Sequence, residues 1–571
     1  MKSTFRMSIA LVVLMAGAAL ARAQGQPVLV LSVPSYNDLL ADADFLGGLV
    51  GRPGSSQMAD GMLKMMTQGK GLAGLDKAKP IEVVIAIDNG VFMPTICIPV
   101  TSAKDLADVV SSIQTGQPAQ TVDGVIKLSE PPPAGDIYIR EQSGWAFVTQ
   151  SKDSPLPADP MTMLAGLSPD YDVAARAFVQ NIPEDMKKSW IEKFKTFMQF
   201  AAQQHSGDDN PLSALSRKNM EAQTAQLEQL FEQADQITVG WKLDRAAKNT
   251  HFDMTFTAKP GSELDQEMQV MAKAKTNFAG FNKPDAAATF SICGINTQNK
   301  IDQTVTAIEQ AKEKMDEAID KDQNLQDDNA RGKVKAALGK LIDVAEKTVK
   351  TGKMDGGGVV LLGADKLQVA VGGYVADGPG FESAIKDLIE MAKGEPDFNK
   401  AATVKLDLET YKEVKFQEVT LKLPEDADET AKKIFGDTVE VYVGVGPDSA
   451  YFAFGKDSLT LVKSVIDASA ADPNKTVQPF KLSVALAPIF DFAAWATPDN
   501  PKAKMMAQAF DSVKGKDHVL VGAKLIPNGV TYRLDVEDGV LEAVGQASKA
   551  AMSMQRGPRG GAPGGNFGPA N

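Results

Sequence analysis

A duplication constrains this chain more than any other feature of its sequence. Val239-Gly240-Trp241-Lys242-Leu243 recurs as Val521-Gly522-Ala523-Lys524-Leu525. Each copy opens a strand, passes a turn and re-enters an alternating strand. The first return strand carries Phe252, Met254, Phe256 and Ala258, the second Val530, Tyr532, Leu534 and Val536. Period-two alternation marks a strand with one buried face. Asn528-Gly529 is a type I′ hairpin signal. A helix follows in both copies, marked by Leu264, Met268 and Met271 and by Leu541 and Val544.

The same strand–turn–strand–helix unit recurs upstream. Ile81 to Ile87 and Val91 to Val100 flank Asn89-Gly90, and Ser102 is placed to cap a helix carrying Leu106, Val109, Val110 and Ile113. Its counterpart runs Val359 to Leu362, then Leu367 to Val375, then a helix with Phe381, Ile385 and Leu388. A third pair sets Ile137–Ser154 against Val441–Ser458, both ending in Lys-Asp-Ser. Counterparts lie about 275 to about 305 residues apart, so the copies have diverged by insertion and deletion. Long amphipathic helices are expected between units at 184–204, 211–235, 301–319 and 334–349. The expected fold is α+β, with two pseudo-equivalent halves at 24–283 and 284–549. Each half would hold about three ββα units, forming antiparallel sheet with helices packed on one face.

The ends of the chain read differently. Lys2 and Arg6 precede an apolar run from Met7 to Leu20, which ends in Ala21-Arg22-Ala23. That is the pattern of a signal peptide, residues 1–23, cleaved after Ala23. The expected location is the periplasm or the cell exterior. No later stretch approaches the roughly 20 apolar residues of a membrane span, so the mature chain is not expected to cross one. At the other end, residues 550–571 finish in QRGPRGGAPGGNFGPAN and read as a disordered tail rich in Gly and Pro.

The Ala-rich signal segment, the duplicated ββα units and the phrase YFAFGKDSLTLVKSVID at 451–467 resemble the large exported proteins of unknown function found in planctomycete-type bacteria. That resemblance implies an envelope or secreted location. It brings no catalytic residues, cofactor or metal with it.

The formal net charge is −13, and it becomes −16 without Lys2, Arg6 and Arg22. An acidic chain is a poor ligand for nucleic acid and for anionic lipid. Only Cys97 and Cys293 are present. An oxidising compartment opens one disulfide to them if they meet; the alternative is two buried free thiols.

Several fragments resemble chemistry and fall short of it. Ser383-Ala384-Ile385-Lys386 and Lys350-Thr351-Gly352 match SxxK and KTG, but in reversed order and without SDN. Asp320, Asp322 and Asn324 have calcium-loop spacing, yet Leu325 and Arg331 stand where Gly and a bidentate Glu belong. Met58, Met62, Met65 and Met66 could bind copper(I), but with no nearby His or Cys they read as adaptable core filler. His205, His251 and His518 are isolated, and no HExxH, CxxC, Walker loop or GxSxG elbow occurs. Gly356-Gly357-Gly358 reads as a turn rather than a phosphate cradle. These patterns point to an exported, non-catalytic binding or structural protein of the cell envelope. The alternatives are a carrier for an apolar small ligand or lipid, and a hydrolase with an unrecognised carboxylate pair.

Overall fold

The computed structural model describes residues 26–88, 90–114, 119–129, 136–157, 159–205, 228–322, 327–363 and 366–555. The signal segment, Asn89, residues 211–227, Asn324, Leu325 and residues 556–571 lie outside them.

The strands of the first half are β1 (Pro27–Val33), β2 (Ile81–Asp88), β3 (Val91–Pro99), β4 (Gln120–Val122), β5 (Val125–Ser129), β6 (Asp136–Gln142), β7 (Trp145–Thr149), β8 (Val173–Phe178), β9 (Ala234–Asp244) and β10 (Asn249–Ala258). Those of the second are β11 (Ala288–Ile295), β12 (Lys353–Gly363), β13 (Lys366–Tyr374), β14 (Ala402–Tyr411), β15 (Val414–Lys422), β16 (Thr438–Val445), β17 (Ser449–Phe454), β18 (Phe480–Ala485), β19 (His518–Ile526) and β20 (Gly529–Glu537). All join one 20-stranded sheet. Every pairing is antiparallel, and the two halves meet at a seam between β10 and β20. Outward from the seam, the first flank runs β10-β9-β8-β1-β2-β3-β7-β6-β5-β4. The second runs β20-β19-β18-β11-β12-β13-β17-β16-β15-β14.

The helices are α1 (Tyr36–Leu49), α2 (Ser55–Met66), α3 (Ala103–Gln114), α4 (Pro160–Met163), α5 (Glu184–His205), α6 (Glu263–Met271), α7 (Gln298–Lys321), α8 (Asp328–Lys350), α9 (Gly378–Lys393), α10 (Pro396–Ala401), α11 (Glu429–Phe435), α12 (Ser458–Ala471), α13 (Leu486–Ala496), α14 (Pro501–Asp511) and α15 (Asp538–Gln555). Side-chain caps start several of them. The hydroxyls of Ser35, Ser102 and Ser262 accept from the N–H of Asp38, Asp105 and Asp265, meeting donors a helix start leaves free.

The architecture is α+β with a large antiparallel sheet, as expected, but helices cover both faces rather than one. On one face, Leu461, Val462 and Val465 of α12 pack with Phe281 against Val359, Ala370 and Phe416. In the first half, Leu164 and Leu167 pack on Val30, Cys97 and Phe147. On the other face, α3 packs on Ile98, Ile139 and Ala146. There too, α13, α14 and α15 gather around Val519 and Val536. Each half contributes ten described strands, where the alternation had marked six. Of the extra ones, β1, β8 and β18 lack a turn signal of the Asn-Gly kind, whereas β4 and β5 flank Asp123-Gly124.

Three local expectations are corrected. Gly356, Gly357 and Gly358 lie inside strand β12, not in a turn. A Cβ on Gly358 would sit 2.2 Å from the Phe290 ring, so the missing side chain makes room for that ring. Met58, Met62, Met65 and Met66 are not core: all are exposed, Met65 at 74%. Helix α15 continues to Gln555, into the stretch read as a tail.

Candidate functional site

Alternation along these strands sorts side chains onto two faces of different character. The face under α12 and Leu164 is closed: Phe416, Ala370 and Val30 are each 0% exposed. The opposite face is apolar but uncovered along its centre. At the seam Phe252 stands opposite Leu534 and Met254 opposite Tyr532. These four are 43%, 40%, 38% and 43% exposed. The same row continues through Trp241 and Val239 on β9. In the other direction it passes Val521 on β19 and Leu482 on β18. It then reaches Phe290 and Ile292 on β11, both exposed, and Phe452 on β17, exposed as well.

Helices leave both edges of this strip. The hairpin α1–α2 and helices α15, α14 and α13 lie along one edge, with α1 in contact with α15. Helices α6 to α9 lie along the other. Glu267 of α6 pairs with Lys300 of α7, and Lys340 of α8 pairs with Asp387 of α9. Over the first half, Trp190 of α5 stacks on Phe92. Nine-residue strands span about 30 Å and a helix is about 10 Å wide, so the strip between the helices is about 10 Å across. Six strands from β9 to β11 give its central floor a length of about 25 Å. The result is a trough with an apolar sheet floor and helical rims.

Beneath the floor, the closed face carries a polar brace across the seam. Asp253, 2% exposed, accepts both Nε and Nη2 of Arg533 at 2.7 Å. The Tyr171 hydroxyl donates to the same carboxylate at 2.9 Å, and burial lifts its pKa to about 12. Gly240 accommodates the Tyr171 ring, since a Cβ there would stand 2.4 Å from it. His251 packs edge-on against Tyr171, and desolvation, helped by Arg533, lowers its pKa. This pairing of a buried carboxylate with a bidentate guanidinium ties β10 to β20.

Glu82 on β2 is fully buried, and neither carboxylate oxygen has a nitrogen or oxygen hydrogen-bond partner. Desolvation raises its pKa to about 8 and keeps it protonated at neutral pH, directly opposite Cys97 on β3. It sits in the closed core, not in a cleft. A crevice of about 550 Å3 also opens on the closed face, lined by Lys283, Lys366, Lys456, Asp285 and Asp457 together with Leu361 and Leu461.

The structure separates the residues that sequence had grouped. Cys97 and Cys293 are both free and buried. They stand on β3 and β11, nine strands apart in the sheet, about 40 Å at the usual spacing. A disulfide needs Cα atoms within roughly 7 Å, so no bridge forms between them. Burial and the neighbouring Glu82 push the Cys97 thiol far up, and burial pushes the Cys293 thiol to about 11. Ser383 and Lys386 sit on the outside of α9, where Lys386 pairs with Glu382 and Asp407. His251 and His518 are on separate strands, and His518 faces Glu537 at 3.1 Å. Among the described residues no group of three or more His, Cys, Asp or Glu is placed to hold a metal ion. None of the described helices is long and apolar enough to cross a membrane. The trough was not recognised in sequence, although its signal was present: the alternating strands place Phe252, Met254, Tyr532 and Leu534 on one face, and alternation was read as burial.

No family model, curated protein or solved structure matches the chain.

Proposed function

We propose that this chain is an exported, non-catalytic binding protein of the cell envelope, and that the apolar trough is its working surface. The observation that carries the reading is the exposure of Phe252, Met254, Tyr532 and Leu534 at the centre of an otherwise well-buried sheet. A contiguous apolar patch of this kind on a folded protein marks an interaction site. The hydrolase reading is weaker, because the carboxylate with the most raised pKa, Glu82, lies in a closed core without access to substrate. Export is supported by Ala21-Arg22-Ala23 after the apolar run. The resemblance to exported planctomycete-type proteins is in keeping with it.

The two halves are proposed to be diverged copies related by a pseudo-twofold axis through the seam. Three features support this. The strand order of the flanks is the same when counted from the seam. The repeated pentapeptides fall on β9 and β19. Residues at the same offset, Phe252 and Leu534, face each other. The trough would then be built by duplication, with its centre on the axis.

The test is titration with N-phenyl-1-naphthylamine, a dye that brightens in apolar surroundings. The protein should bind it saturably, and a Phe252→Asp/Leu534→Asp variant with an unchanged melting curve should lose that binding. Dye binding that ignores both substitutions would refute the trough as the working surface. Mass spectrometry of the native protein should show a first residue at Gln24.

A second reading has its own observation. Leu39, Leu46, Met58 and Met65 are exposed on the α1–α2 hairpin. Methionine-rich surfaces adapt to varied partners, so this hairpin is a candidate docking point for another protein.

A further inference from the structure

The chemistry of the trough floor narrows what it can hold, if the binding reading above is right. Ile237, Val239 and Trp241 on β9 face the trough with Phe252, Met254 and Phe256 on β10. Tyr532 and Leu534 on β20 follow, with Val521 and Leu525 on β19. Phe480 and Leu482 on β18 and Phe290 and Ile292 on β11 complete the floor. No charged side chain stands among them. Their only polar atoms are the Trp241 indole N–H and the Tyr532 hydroxyl. The indole N–H is already spent, donating to Thr250 at 2.8 Å.

The backbone offers no more. Each of these six strands is hydrogen-bonded to a neighbour on both sides, so none presents a free edge to an added strand. A polypeptide interface carries about one hydrogen bond per 100–200 Å2. A floor about 25 Å long and 10 Å wide offers a single hydroxyl. A peptide laid along it in extended form would leave backbone polar groups unpaired, which is costly away from water. A hydrocarbon chain loses nothing there, because it has no polar group to satisfy.

The rest of the amphiphile must stay in water through the open top of the trough. The floor supplies no cation for an anionic headgroup, and the chain is acidic, with 73 Asp and Glu against 60 Lys and Arg. Repulsion from the whole molecule therefore disfavours anionic lipids and free fatty acids. We propose that the trough holds the acyl chains of a net-neutral phospholipid, lying along the floor from β9 to β11 with the headgroup in solvent.

The experiment uses the full mature chain and pyrene-labelled phosphatidylcholine in phosphatidylcholine vesicles. Uptake by the protein converts excimer emission to monomer emission. Uptake should saturate, and the Phe252→Asp/Leu534→Asp variant should weaken it about tenfold or more, since each buries a charge against the ligand. A second variant, Leu482→Trp, keeps the floor apolar but fills it, and should reduce uptake without changing the melting curve. A parallel arm uses cis-parinaric acid, a free fatty acid, which should bind more weakly than the phospholipid. Preferential binding of the free acid would overturn the choice of phospholipid. Saturable naphthylamine binding that depends on Phe252 and Leu534, with no uptake of either lipid, would overturn the acyl-chain proposal and leave the binding reading standing. Indifference of dye and lipid alike to all three substitutions would overturn both.

Discussion

The two faces of the central sheet are built from the same strands and differ in what covers them. On the closed face Phe416 and Phe147 are excluded from water by α12 and by Leu164 and Leu167. On the trough face Phe252 and Phe452 keep 43% of their surface exposed. Chain composition does not distinguish the faces, since both rows are aromatic and aliphatic. The distinction comes from where the connections return. Helix α12 and the segment after α4 cross over the sheet, whereas the helices on the other side stay near its edges. The closed face is buried core, and the centre of the open face is left exposed.

That contrast can be broken by mutation. Phe416→Ala should destabilise the fold by about 3–5 kcal/mol in urea titration, through lost burial and a cavity. Phe252→Ala should cost less than about 1 kcal/mol, because its ring is already partly in water. Equal costs would erase the distinction between the faces.

The closed core also contains a group that makes its stability depend on pH. Glu82 is protonated in the fold up to about pH 8, against an ordinary value of 4.5. The unfolded chain releases that proton at lower pH, so it binds fewer protons than the fold between these values. The contribution is fully present below pH 4.5 and is lost as pH rises toward 8. Unfolding free energies from urea titration at pH 5 and pH 9 should differ more in the wild type than in Glu82→Gln, by on the order of 3 kcal/mol. Identical pH profiles would mean that Glu82 is solvated.

The seam should respond less strongly. Arg533→Met removes the partner of buried Asp253 but leaves it the Tyr171 hydroxyl. Arg533 is itself about half exposed, which limits what solvent-screened pairing can contribute. A loss of about 2 kcal/mol is expected by urea titration, and a loss under 0.5 kcal/mol would show that the brace contributes little. The smallest effect is predicted on the α1–α2 hairpin, where Met65→Ser should change stability by less than about 0.5 kcal/mol. A larger loss would mean that the hairpin is packed, as its sequence first suggested.

Much of this fold was legible in the sequence, and for physical reasons. The strand pairs β2–β3, β12–β13, β16–β17 and β19–β20 were all marked by alternation. The helix after Ser102 was marked by its cap. What escaped were strands whose partners are distant in sequence, and also two local hairpins, β4–β5 and β14–β15. Strand β1 is held between β2 and β8, and β18 between β11 and β19, so no local turn announces them. The faces escaped for a related reason. Alternation says that one side of a strand is apolar, but not whether a helix will cover it. The methionines of α2 show the same limit, since helical spacing looks identical on a core helix and on an exposed one. The choice between a bridge and two buried free thiols was closed by topology alone: the order of strands that separates Cys97 from Cys293 is set by long-range pairing.

Tryptophan positions permit a direct test of the central claim. Trp241 lies on the trough floor, while Trp145 is 5% exposed in the closed core beside Phe147. Two variants, each retaining one of these tryptophans, can be titrated with a brominated alkyl maltoside below its micelle concentration, where bromine quenches only an indole it touches. The account predicts saturable quenching of Trp241 and none of Trp145. Quenching of both to the same extent, or of neither, would contradict it.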